Sequence, residues 1–308
     1  MNKTYLELLK DVTNDRRSGA WGVARKAITC LDLLAKEMSG APAEELVAEV
    51  ERVGATVLKA QPAMAQLTHL FNTLFVMIEN EPSADSLVLS RKISGEAKRF
   101  YEHCENAVSR AANYGAALIN EDSMVLVHSN SSTIFETITA AHNAGKTFEV
   151  LLSESRPILE GRTCARDLAK LGIPSTYFVD AAIAKAIERA DIILLGADTV
   201  FENTLINKIG SRAICLLSRE AVVPCYAACE SSKFISRRLG PKREPPRDPA
   251  EVWEEPPPET TVENTYFEEV ALELFNGIIT EEGIFTPEEI GGRIRSQKMS
   301  PKLFELLK

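Results

Sequence analysis

Two short segments carry the residues best suited to chemistry. The apolar run Ile192–Leu195 leads into Gly196-Ala197-Asp198, and Asn207-Lys208-Ile209-Gly210 begins nine residues after the aspartate. A buried strand that ends on an acid delivers a carboxylate to the carboxyl edge of a parallel sheet, where open α/β sheets bind ligands. Asp198 is therefore a candidate general acid or base, because restricted solvation makes its pKa tunable. Lys208 is suited either to neutralise a phosphate or to pair with Asp198.

A second strand pattern ends on a histidine and a serine. The apolar run Met124–Val127 is followed by His128, Ser129 and the polar stretch Asn130-Ser131-Ser132-Thr133, which opens a helical pattern. Hydroxyls and free backbone N–H groups at a helix N-terminus form an anion site that suits a phosphate. Ordinary N-capping by one of the serines explains the same residue types.

The loop after the next predicted strand carries the charged sequence Ser153-Glu154-Ser155-Arg156-Pro157. An arginine at this position is suited to grip a phosphate with two hydrogen bonds, and Glu154 is placed to hold it. A surface ion pair is the alternative interpretation of the same two residues. The third predicted strand ends at Asp180, for which we predict a helix-capping role.

Strand and helix patterns alternate through the second part of the chain. The predicted strands are Met124–Val127, Phe148–Leu152, Ser175–Val179, Ile192–Leu195 and Val222–Ala227. The predicted helices between and after them are Ser132–Ala144, Thr163–Leu171, Ala181–Ala190 and Asn207–Arg219. Because strands and helices that take turns with short loops build a parallel, doubly wound sheet, we predict an α/β domain over residues 119–308. No G-x-G-x-x-G follows the first strand, so we expect no dinucleotide cofactor.

The first part of the chain is helical in pattern. Apolar residues recur at helical spacing from residue 5 to about residue 115, in about five segments, and no β-branched run interrupts them. The break between the first two segments contains Arg17 and Ser18-Gly19-Ala20, with Ser18 suited to cap the next helix. We therefore predict a helical N-terminal domain over residues 1–118.

Composition excludes several classes of protein. The 308 residues are 45% apolar and 26% charged, as in a globular protein long enough for two domains. The formal charge of −9 argues against nonspecific binding of nucleic acid. Because no apolar run approaches about 20 residues, we expect no membrane span or signal peptide and a cytoplasmic protein. Seven prolines between positions 241 and 258 predict a long exposed loop at 240–262.

The cysteines and histidines lack metal-ligand spacing. The six cysteines are scattered without a C-x-x-C pair, so we predict reduced, mostly buried thiols. The four histidines lie far apart in the sequence, and we therefore expect no metal site.

Four motifs, taken in this order, resemble the signature of one superfamily. They are His128-Ser129-Asn130-Ser131, Glu154-Ser155-Arg156-Pro157-x-x-x-Gly161, Gly196-Ala197-Asp198 and Asn207-Lys208-Ile209-Gly210. The superfamily comprises the regulatory alpha, beta and delta subunits of translation initiation factor 2B and two sugar-phosphate isomerases, which act on methylthioribose 1-phosphate and ribose 1,5-bisphosphate. The resemblance covers most of the chain and implies a helical N-terminal domain followed by a Rossmann-like domain. The phosphate- or ligand-binding residues that it implies are Arg17, Ser18, Gly19, Ala20, Asn130, Ser131, Glu154, Arg156, Asn207 and Lys208.

The chain departs from the isomerases at one position of this pattern. In the isomerases the residue after the first strand's histidine is a cysteine, which works with the aspartate of Gly-Ala-Asp. Here Ser129 stands at that position, while Asp198 is retained. A serine hydroxyl titrates several units above a thiol pKa of about 8.5, so it is a poor acid or nucleophile without an adjacent base. His128 is badly placed for that role, because successive residues of a strand point to opposite faces.

The N-terminal motif also resembles the translation-factor branch, because the isomerases have Arg-Gly-Ala where this chain has Arg17-Ser18-Gly19-Ala20. We therefore expect a factor-2B-like regulatory or scaffold protein, not an enzyme, that keeps a pocket for a phosphorylated sugar or nucleoside monophosphate. The alternative is an aldose–ketose isomerase in which Asp198 moves the proton, Ser129 donates a hydrogen bond, and Arg17, Arg156 and Lys208 hold phosphates. The resemblance further implies a homodimer or a larger assembly and a contact with initiation factor 2. The net charge and the lack of a long apolar run predict no direct contact with nucleic acid or a membrane.

Overall fold

The computed structural model describes residues 4–15, 20–62, 64–81, 85–239 and 247–307. The chain divides into two compact units, which we call the helical unit and the sheet unit. The helical unit comprises Met1–Glu105, Ser232–Arg243 and Ile294–Lys308, and the sheet unit comprises Asn106–Ser231 and Glu244–Arg293. Of the predicted loop at 240–262, residues 240–246 lie outside the described residues.

The described residues form helices first and a mostly parallel sheet afterwards, which confirms the predicted fold class. The α-helices are α1 Tyr5–Asn14, α2 Ala20–Glu37, α3 Ala43–Ala60, α4 Ala65–Glu79, α5 Ser86–Leu118, α6 Ser132–Asn143, α7 Gly161–Lys170, α8 Ile183–Ile187, α9 Ser211–Ala221, α10 Pro287–Ser296 and α11 Pro301–Leu306. The strands are β1 Ser123–Val127, β2 Phe148–Ser153, β3 Ser175–Phe178, β4 Ile192–Gly196, β5 Thr199–Val200, β6 Thr204–Lys208, β7 Cys225–Ala228, β8 Phe267–Ala271, β9 Gly277–Thr280 and β10 Gly283–Phe285.

The helical unit buries one apolar stripe from each of its helices. Leu34 of α2, Leu46 of α3 and Leu70 of α4 are fully buried in one cluster, to which Leu303 of α11 also belongs. Helices with an apolar residue at every third or fourth position must pack in this way to remove that stripe from water. The five predicted N-terminal helical segments are therefore all present as helices.

The sheet unit is built on a seven-stranded sheet in the order β10-β9-β7-β4-β1-β2-β3. All neighbouring pairs are parallel except β9 and β10, which are antiparallel. The chain adds strands on one side of β1 and then returns to add β4 on its other side. This reversal is a topological switch point, and loops that follow β1 and β4 diverge there to leave a crevice.

Both faces of the central strands are buried. Val125 and Val127 of β1 pack in one apolar cluster with Ile134 and Ile138 of α6. Leu126, which lies between them and points to the other face, is also fully buried. The continuous apolar run of β1 follows from this double burial, as in other parallel sheets.

The prediction of a helix over Asn207–Arg219 was wrong in its first part. Thr204–Lys208 is strand β6, which pairs antiparallel with β5 and with β8 in a second, three-stranded sheet. Helix α9 begins only at Ser211, after Gly210 in the left-handed conformation. The sequence near Asn207 did not reveal this strand because its partner β8 lies about 60 residues further along the chain.

Candidate functional site

The carboxyl edge of the large sheet brings the predicted strand ends together. Val127, the last residue of β1, is opposite Leu152 of β2 on one side and Leu194 of β4 on the other. Because these strands are parallel, the residues that follow them emerge at the same edge. Ser129 follows β1 and Asp198 follows β4, so both lie beside the switch point.

His128 is buried after β1, and both of its ring nitrogens are hydrogen-bonded. Nε2 lies 2.7 Å from the Ile209 carbonyl oxygen, which can only accept, so Nε2 carries the proton. Nδ1 then accepts a hydrogen bond from the Ser153 hydroxyl at 2.5 Å. Burial lowers the pKa of His128 and favours the neutral ring. The histidine therefore ties three loops together and is not bonded to the Ser129 hydroxyl.

The glycine of the Ile209-Gly210 motif is required by this histidine. Gly210 has a φ of 102°, which lies in the left-handed region that favours glycine. A Cβ atom added there would also lie 3.1 Å from Nε2 of His128. The close approach allows the Ile209 carbonyl to meet the ring.

Ser129 is held in place by two hydrogen bonds and adopts a left-handed φ of 69°. Its amide donates to Oγ of Ser155 at 2.8 Å, and its hydroxyl donates to Oε2 of Glu160 at 3.0 Å. A left-handed conformation costs a non-glycine residue about 1 kcal/mol, and such strain is often found at ligand sites. The Ser129 hydroxyl therefore faces a carboxylate.

Glu160, the residue before α7, joins two of the predicted motifs and was missed by the sequence reasoning. The oxygen that accepts from Ser129 also lies 2.7 Å from Nζ of Lys208. The Glu160 side chain is 27% exposed, whereas that of Lys208 is only 2% exposed. Glu160 occupies the last unspecified position before Gly161 in its motif, so only its charge signalled a role.

Lys208 is a buried cation at the end of β6. Its Nζ approaches Glu160 as an ion pair and lies 4.9 Å from the centroid of the Tyr266 ring. The approach to Glu160 lacks the angles of a hydrogen bond, and Nζ makes none with any described residue. A buried ammonium is stable only with charge compensation and acceptors for its N–H groups. Nζ is therefore chemically suited to an additional oxygen ligand.

Tyr266 is a further site neighbour that sequence reasoning missed. Tyr266 lies 58 residues after Lys208 in the sequence. The pairing of Lys208 with Phe267 in the β6–β8 ladder brings the Tyr266 ring beside Nζ of Lys208. Its hydroxyl donates to Glu251, and Arg247 stacks 4.1 Å from its ring centroid. No local signal marks this tyrosine, because its position depends on pairing between distant strands.

Asp180 holds the loop after β2, which corrects its predicted capping role. Its carboxylate accepts from the amide of Ser155 at 2.8 Å and from the amide of Arg156 at 2.7 Å. The short 3-10 helix that begins at Asp180 has no side-chain cap. The neighbouring strands β2 and β3 bring Asp180 beside the loop, and its carboxylate satisfies two amides there instead of those of its own helix.

The Glu154 and Arg156 side chains lie on this same loop. Arg156 is exposed, and its Nη2 donates to the carbonyl oxygen of Val252 at 2.9 Å. Glu154 is half-buried, and its amide continues the sheet ladder to the Phe178 carbonyl at 2.8 Å. Gly161 closes the loop, because a Cβ atom there would lie 2.0 Å from the backbone oxygen of Ser153.

The N-terminus of α6 lies against the end of β4. Ser131 is the N-cap and accepts from the Ile134 amide at 3.4 Å, while Asn130 is exposed. A Cβ atom at Gly196 would lie 2.8 Å from Oγ of Ser131 and 3.7 Å from Oδ1 of Asn207. The predicted motifs around Ser131, Gly196 and Asn207 are therefore in contact.

Asp198 and Asn207 occupy different environments. Asp198 is half-buried, and its amide donates to the Ile206 carbonyl at 2.8 Å, which ties it to β6. Asn207 is buried, and its Nδ2 donates to Ser211 at 2.8 Å, at the start of α9. The N-terminal motif residues Arg17, Ser18 and Gly19 lie outside the described residues, and Ala20 is the first residue of α2.

All six cysteines are buried and free of disulfides, as predicted. Burial raises the pKa of the Cys164 thiol to about 11. Within the described ranges, no group of three or more histidine, cysteine, aspartate or glutamate residues is arranged to hold a metal ion. No helix in the same part of the chain combines the length and apolar composition needed to cross a bilayer.

The switch point, its charged edge and the preceding helices define a Rossmann-like α/β protein. The sequence model of the Initiation factor 2 subunit family matches residues 16–287. The chain therefore belongs to this family, and the predicted superfamily is confirmed.

Relatives named as eIF-2B subunits and relatives named as sugar-phosphate isomerases have about the same sequence identity to the chain. An eIF-2B subunit 2-like protein of Pyrococcus furiosus is 30% identical over 92% of this chain and 96% of its own length. A ribose 1,5-bisphosphate isomerase of Thermococcus kodakarensis is 31% identical over 92% of each chain. The crystal structure of Pyrococcus horikoshii translation initiation factor eIF-2B has a TM-score of 0.77 at 27% identity, covering 94% of this chain and 99% of that one. Overall similarity therefore does not separate the two branches.

Proposed function

We propose that this chain is a factor-2B-like regulatory or scaffold protein that binds a phosphorylated sugar or nucleoside monophosphate without converting it. One observation carries this proposal. The Ser129 hydroxyl donates to Glu160, and the same carboxylate oxygen is paired with the buried Lys208. The carboxylate is already engaged by the ammonium, so the serine has no unengaged base beside it.

The histidine next to this serine offers no alternative base. Both ring nitrogens of His128 are occupied by Ser153 and Ile209, and its lowered pKa makes it a weaker proton acceptor. A serine hydroxyl without a base is a poor acid or nucleophile at neutral pH. These contacts support binding over turnover at Ser129.

Ligand binding is supported by donors and positive charge at the same edge. Lys208 has N–H groups without acceptors among the described residues, and Asn130 and Ser131 stand at the N-terminus of the twelve-residue helix α6. Backbone amides at a helix N-terminus favour anions, and arginine on an adjacent loop adds to them. We propose Arg17, Ser18, Gly19, Ala20, Glu154, Arg156 and Asn207 as further ligand-binding residues.

An aldose–ketose isomerase is the second candidate, and the observation that favours it is Asp198. This carboxylate is half-buried directly after β4, at the switch point where open α/β enzymes place reacting groups. In this scheme Asp198 moves the proton and Ser129 donates a hydrogen bond to the substrate. The name of the Thermococcus kodakarensis relative gives ribose 1,5-bisphosphate as the substrate to test.

A thermal-shift screen followed by a turnover assay separates the two candidates. The purified chain is melted with ribose 5-phosphate, ribose 1,5-bisphosphate, methylthioribose 1-phosphate and adenosine monophosphate at increasing concentrations. A ligand that binds only the folded state raises the melting temperature with concentration. We expect a rise with at least one compound and no isomerisation of any of them. Measurable turnover would contradict the binding proposal and favour the isomerase.

Two variants assign roles if turnover is found. Asp198→Asn is expected to abolish it while leaving ligand binding largely intact, because the amide keeps the shape but accepts no proton. Ser129→Ala tests the serine, and unchanged turnover in this variant would show that its hydroxyl has no catalytic role. Asp198→Asn with full activity would contradict the isomerase scheme.

Self-association and a contact with initiation factor 2 are proposed from the family resemblance. Light scattering on the purified chain measures its mass in solution, for which we expect a dimer or a larger assembly. A binding titration with purified initiation factor 2 tests the second partner. A monomer at every concentration would contradict the proposed self-association.

A further inference from the structure

The charge balance at the end of β6 limits what the proposed pocket can bind. Lys208 carries one positive charge, and Glu160 carries one negative charge 2.7 Å away. The pair of Lys208 and Glu160 therefore has no net charge. The attraction of Lys208 for an incoming phosphate is therefore offset by the repulsion of Glu160.

Access to this pair is unequal. The Glu160 side chain is 27% exposed, and the Lys208 side chain behind it is 2% exposed. A ligand from solvent therefore meets the carboxylate before the ammonium. Among the described residues, the carboxylate contacts the Ser129 hydroxyl and Nζ of Lys208, and both contacts are made by Oε2. Oε1 thus keeps its capacity to accept hydrogen bonds.

An ionised carboxylate accepts hydrogen bonds and donates none. A sugar hydroxyl donates a hydrogen bond and is a good partner for it. A phosphate dianion has only acceptor oxygens and repels it. Beside the buried Lys208 this repulsion is stronger than in bulk water, because the effective dielectric constant near a protein interior is lower.

We infer that Glu160 determines specificity in this pocket by selecting a ligand with one phosphate and free hydroxyls and by rejecting a second phosphate. This inference rests on the proposed ligand-binding function of the same edge. The single phosphate binds away from the pair, and Glu160 accepts from the hydroxyls of the ligand. Lys208 then serves to offset the charge of Glu160 and to hold it in place.

The test compares two ligands that differ by one phosphate. Ribose 5-phosphate and ribose 1,5-bisphosphate are titrated calorimetrically into the full chain and into the Glu160→Gln variant. Glutamine keeps the size of the side chain and an acceptor for Ser129, so the variant retains the local hydrogen bond. Glu160→Ala is a second variant, which removes the carboxylate without placing an amide beside Lys208. Thermal unfolding without ligand verifies that each variant is folded.

We expect wild type to bind ribose 5-phosphate at least about tenfold more tightly than ribose 1,5-bisphosphate, a difference of about one decade in Kd. Glu160→Gln should reduce this preference to about threefold or reverse it, chiefly by tightening the bisphosphate. Glu220→Gln, which removes one exposed acid at the far end of α9, is the matched control. It changes the net charge by the same amount as Glu160→Gln. The wild-type preference should be kept, because Glu220 lies away from the pair.

The possible results separate the inference from the function on which it rests. No saturable binding of either compound by wild type or variants would overturn the proposed function and the inference together. Binding by wild type without preference, or with preference for the bisphosphate, would overturn only the inference. So would an unchanged preference in Glu160→Gln and Glu160→Ala, or an equal change in Glu220→Gln.

Discussion

At the amino edge of the large sheet, Asp191 and Lys146 bond to backbone groups, whereas beside its carboxyl edge Lys208 and Glu160 pair with each other. Asp191, before β4, accepts from the amide of Met124 at 2.8 Å and so extends the ladder between β1 and β4. Lys146, before β2, donates to the carbonyl oxygens of Ala116 and Ile119 at the end of α5. Both side chains satisfy backbone groups that a strand or helix end would leave unpaired.

The carboxyl edge is organised differently. Lys208 and Glu160 pair with each other, and Ser129 bonds to that pair instead of to the backbone. Nζ of Lys208 is buried without a hydrogen bond to any described residue. Charge therefore satisfies backbone groups at the amino edge, whereas beside the carboxyl edge Lys208 of the three-stranded sheet and Glu160 pair with each other. Changes at the two edges should therefore separate stability from ligand binding.

The largest effect is expected where the carboxyl edge is most tightly packed. In Gly161→Ala the new Cβ would lie 2.0 Å from the backbone oxygen of Ser153, so the loop after β2 must move. Overpacking against backbone costs about 3 kcal/mol or more, and urea unfolding should show a loss of this size. Gly292→Ala, where a Cβ meets nothing within 4 Å, is the control and should be neutral or slightly stabilising. Equal stability of the two variants would contradict the packing described for this loop.

Lys146→Met tests the amino edge. It removes two charge-assisted hydrogen bonds to the carbonyls that end α5, which should lower the free energy of unfolding by about 2 kcal/mol. The ligand-induced rise in melting temperature should remain, because this edge has no proposed role in binding. Lys185→Met removes an exposed lysine from α8 and serves as the control for charge. If Lys146→Met lost the ligand-induced rise in melting temperature, the amino edge would also contribute to ligand binding, contrary to the prediction.

The pH dependence of stability tests the buried histidine of the carboxyl edge. Burial lowers the pKa of His128 in the folded chain, whereas an unfolded histidine titrates near about 6.5. The unfolded chain therefore binds the proton more readily, and the stabilisation is complete above pH about 6.5 and is lost as the pH falls through the folded pKa. The slope should approach about 1.4 kcal/mol per pH unit. The free energy of unfolding is measured in urea at several pH values for wild type and His128→Gln, and the difference between them should show this loss. His142→Gln should keep the pH dependence of wild type.

Ser129 gives the smallest expected effect and tests its backbone conformation. Ser129→Ala loses the bond to Glu160 and keeps the left-handed φ of 69°, so it should cost about 1 kcal/mol. Ser129→Gly loses the same bond but removes the left-handed penalty of about 1 kcal/mol, so it should be nearly neutral. Denaturant unfolding of both variants measures the difference. A glycine variant less stable than the alanine variant would contradict the left-handed conformation.

The elements that depend on local pattern were predicted from the sequence. The helical spacing of the N-terminal part predicted its helices. The apolar runs of β1, β2 and β4 predicted that Ser129 and Asp198 lie at one edge of the sheet, because the ends of parallel strands meet at the same edge. The buried state of the cysteines was expected from their scattered positions without a C-x-x-C pair.

Features that depend on distant pairing were not predictable in the same way. Asn207 and Lys208 were assigned to a helix because the partner strand β8 lies far along the chain. The Asp180 carboxylate accepts hydrogen bonds from the loop after β2 and does not cap its own helix. This contact depends on the pairing of β2 with β3, which the local sequence does not reveal. Glu160 had no recognisable motif of its own, and its role depends on the approach of β6 to the start of α7.

Calorimetric titration of ribose 5-phosphate into wild type and Lys208→Met tests whether the buried pair of Lys208 and Glu160 belongs to a ligand site. Without Lys208 the charge of Glu160 is uncompensated and repels the phosphate, so binding should weaken at least about tenfold while the folded state persists. Saturable binding in wild type and its loss in Lys208→Met is the predicted result. Equal affinity in the two proteins, or no saturable binding in either, would show that this pair does not belong to a ligand site.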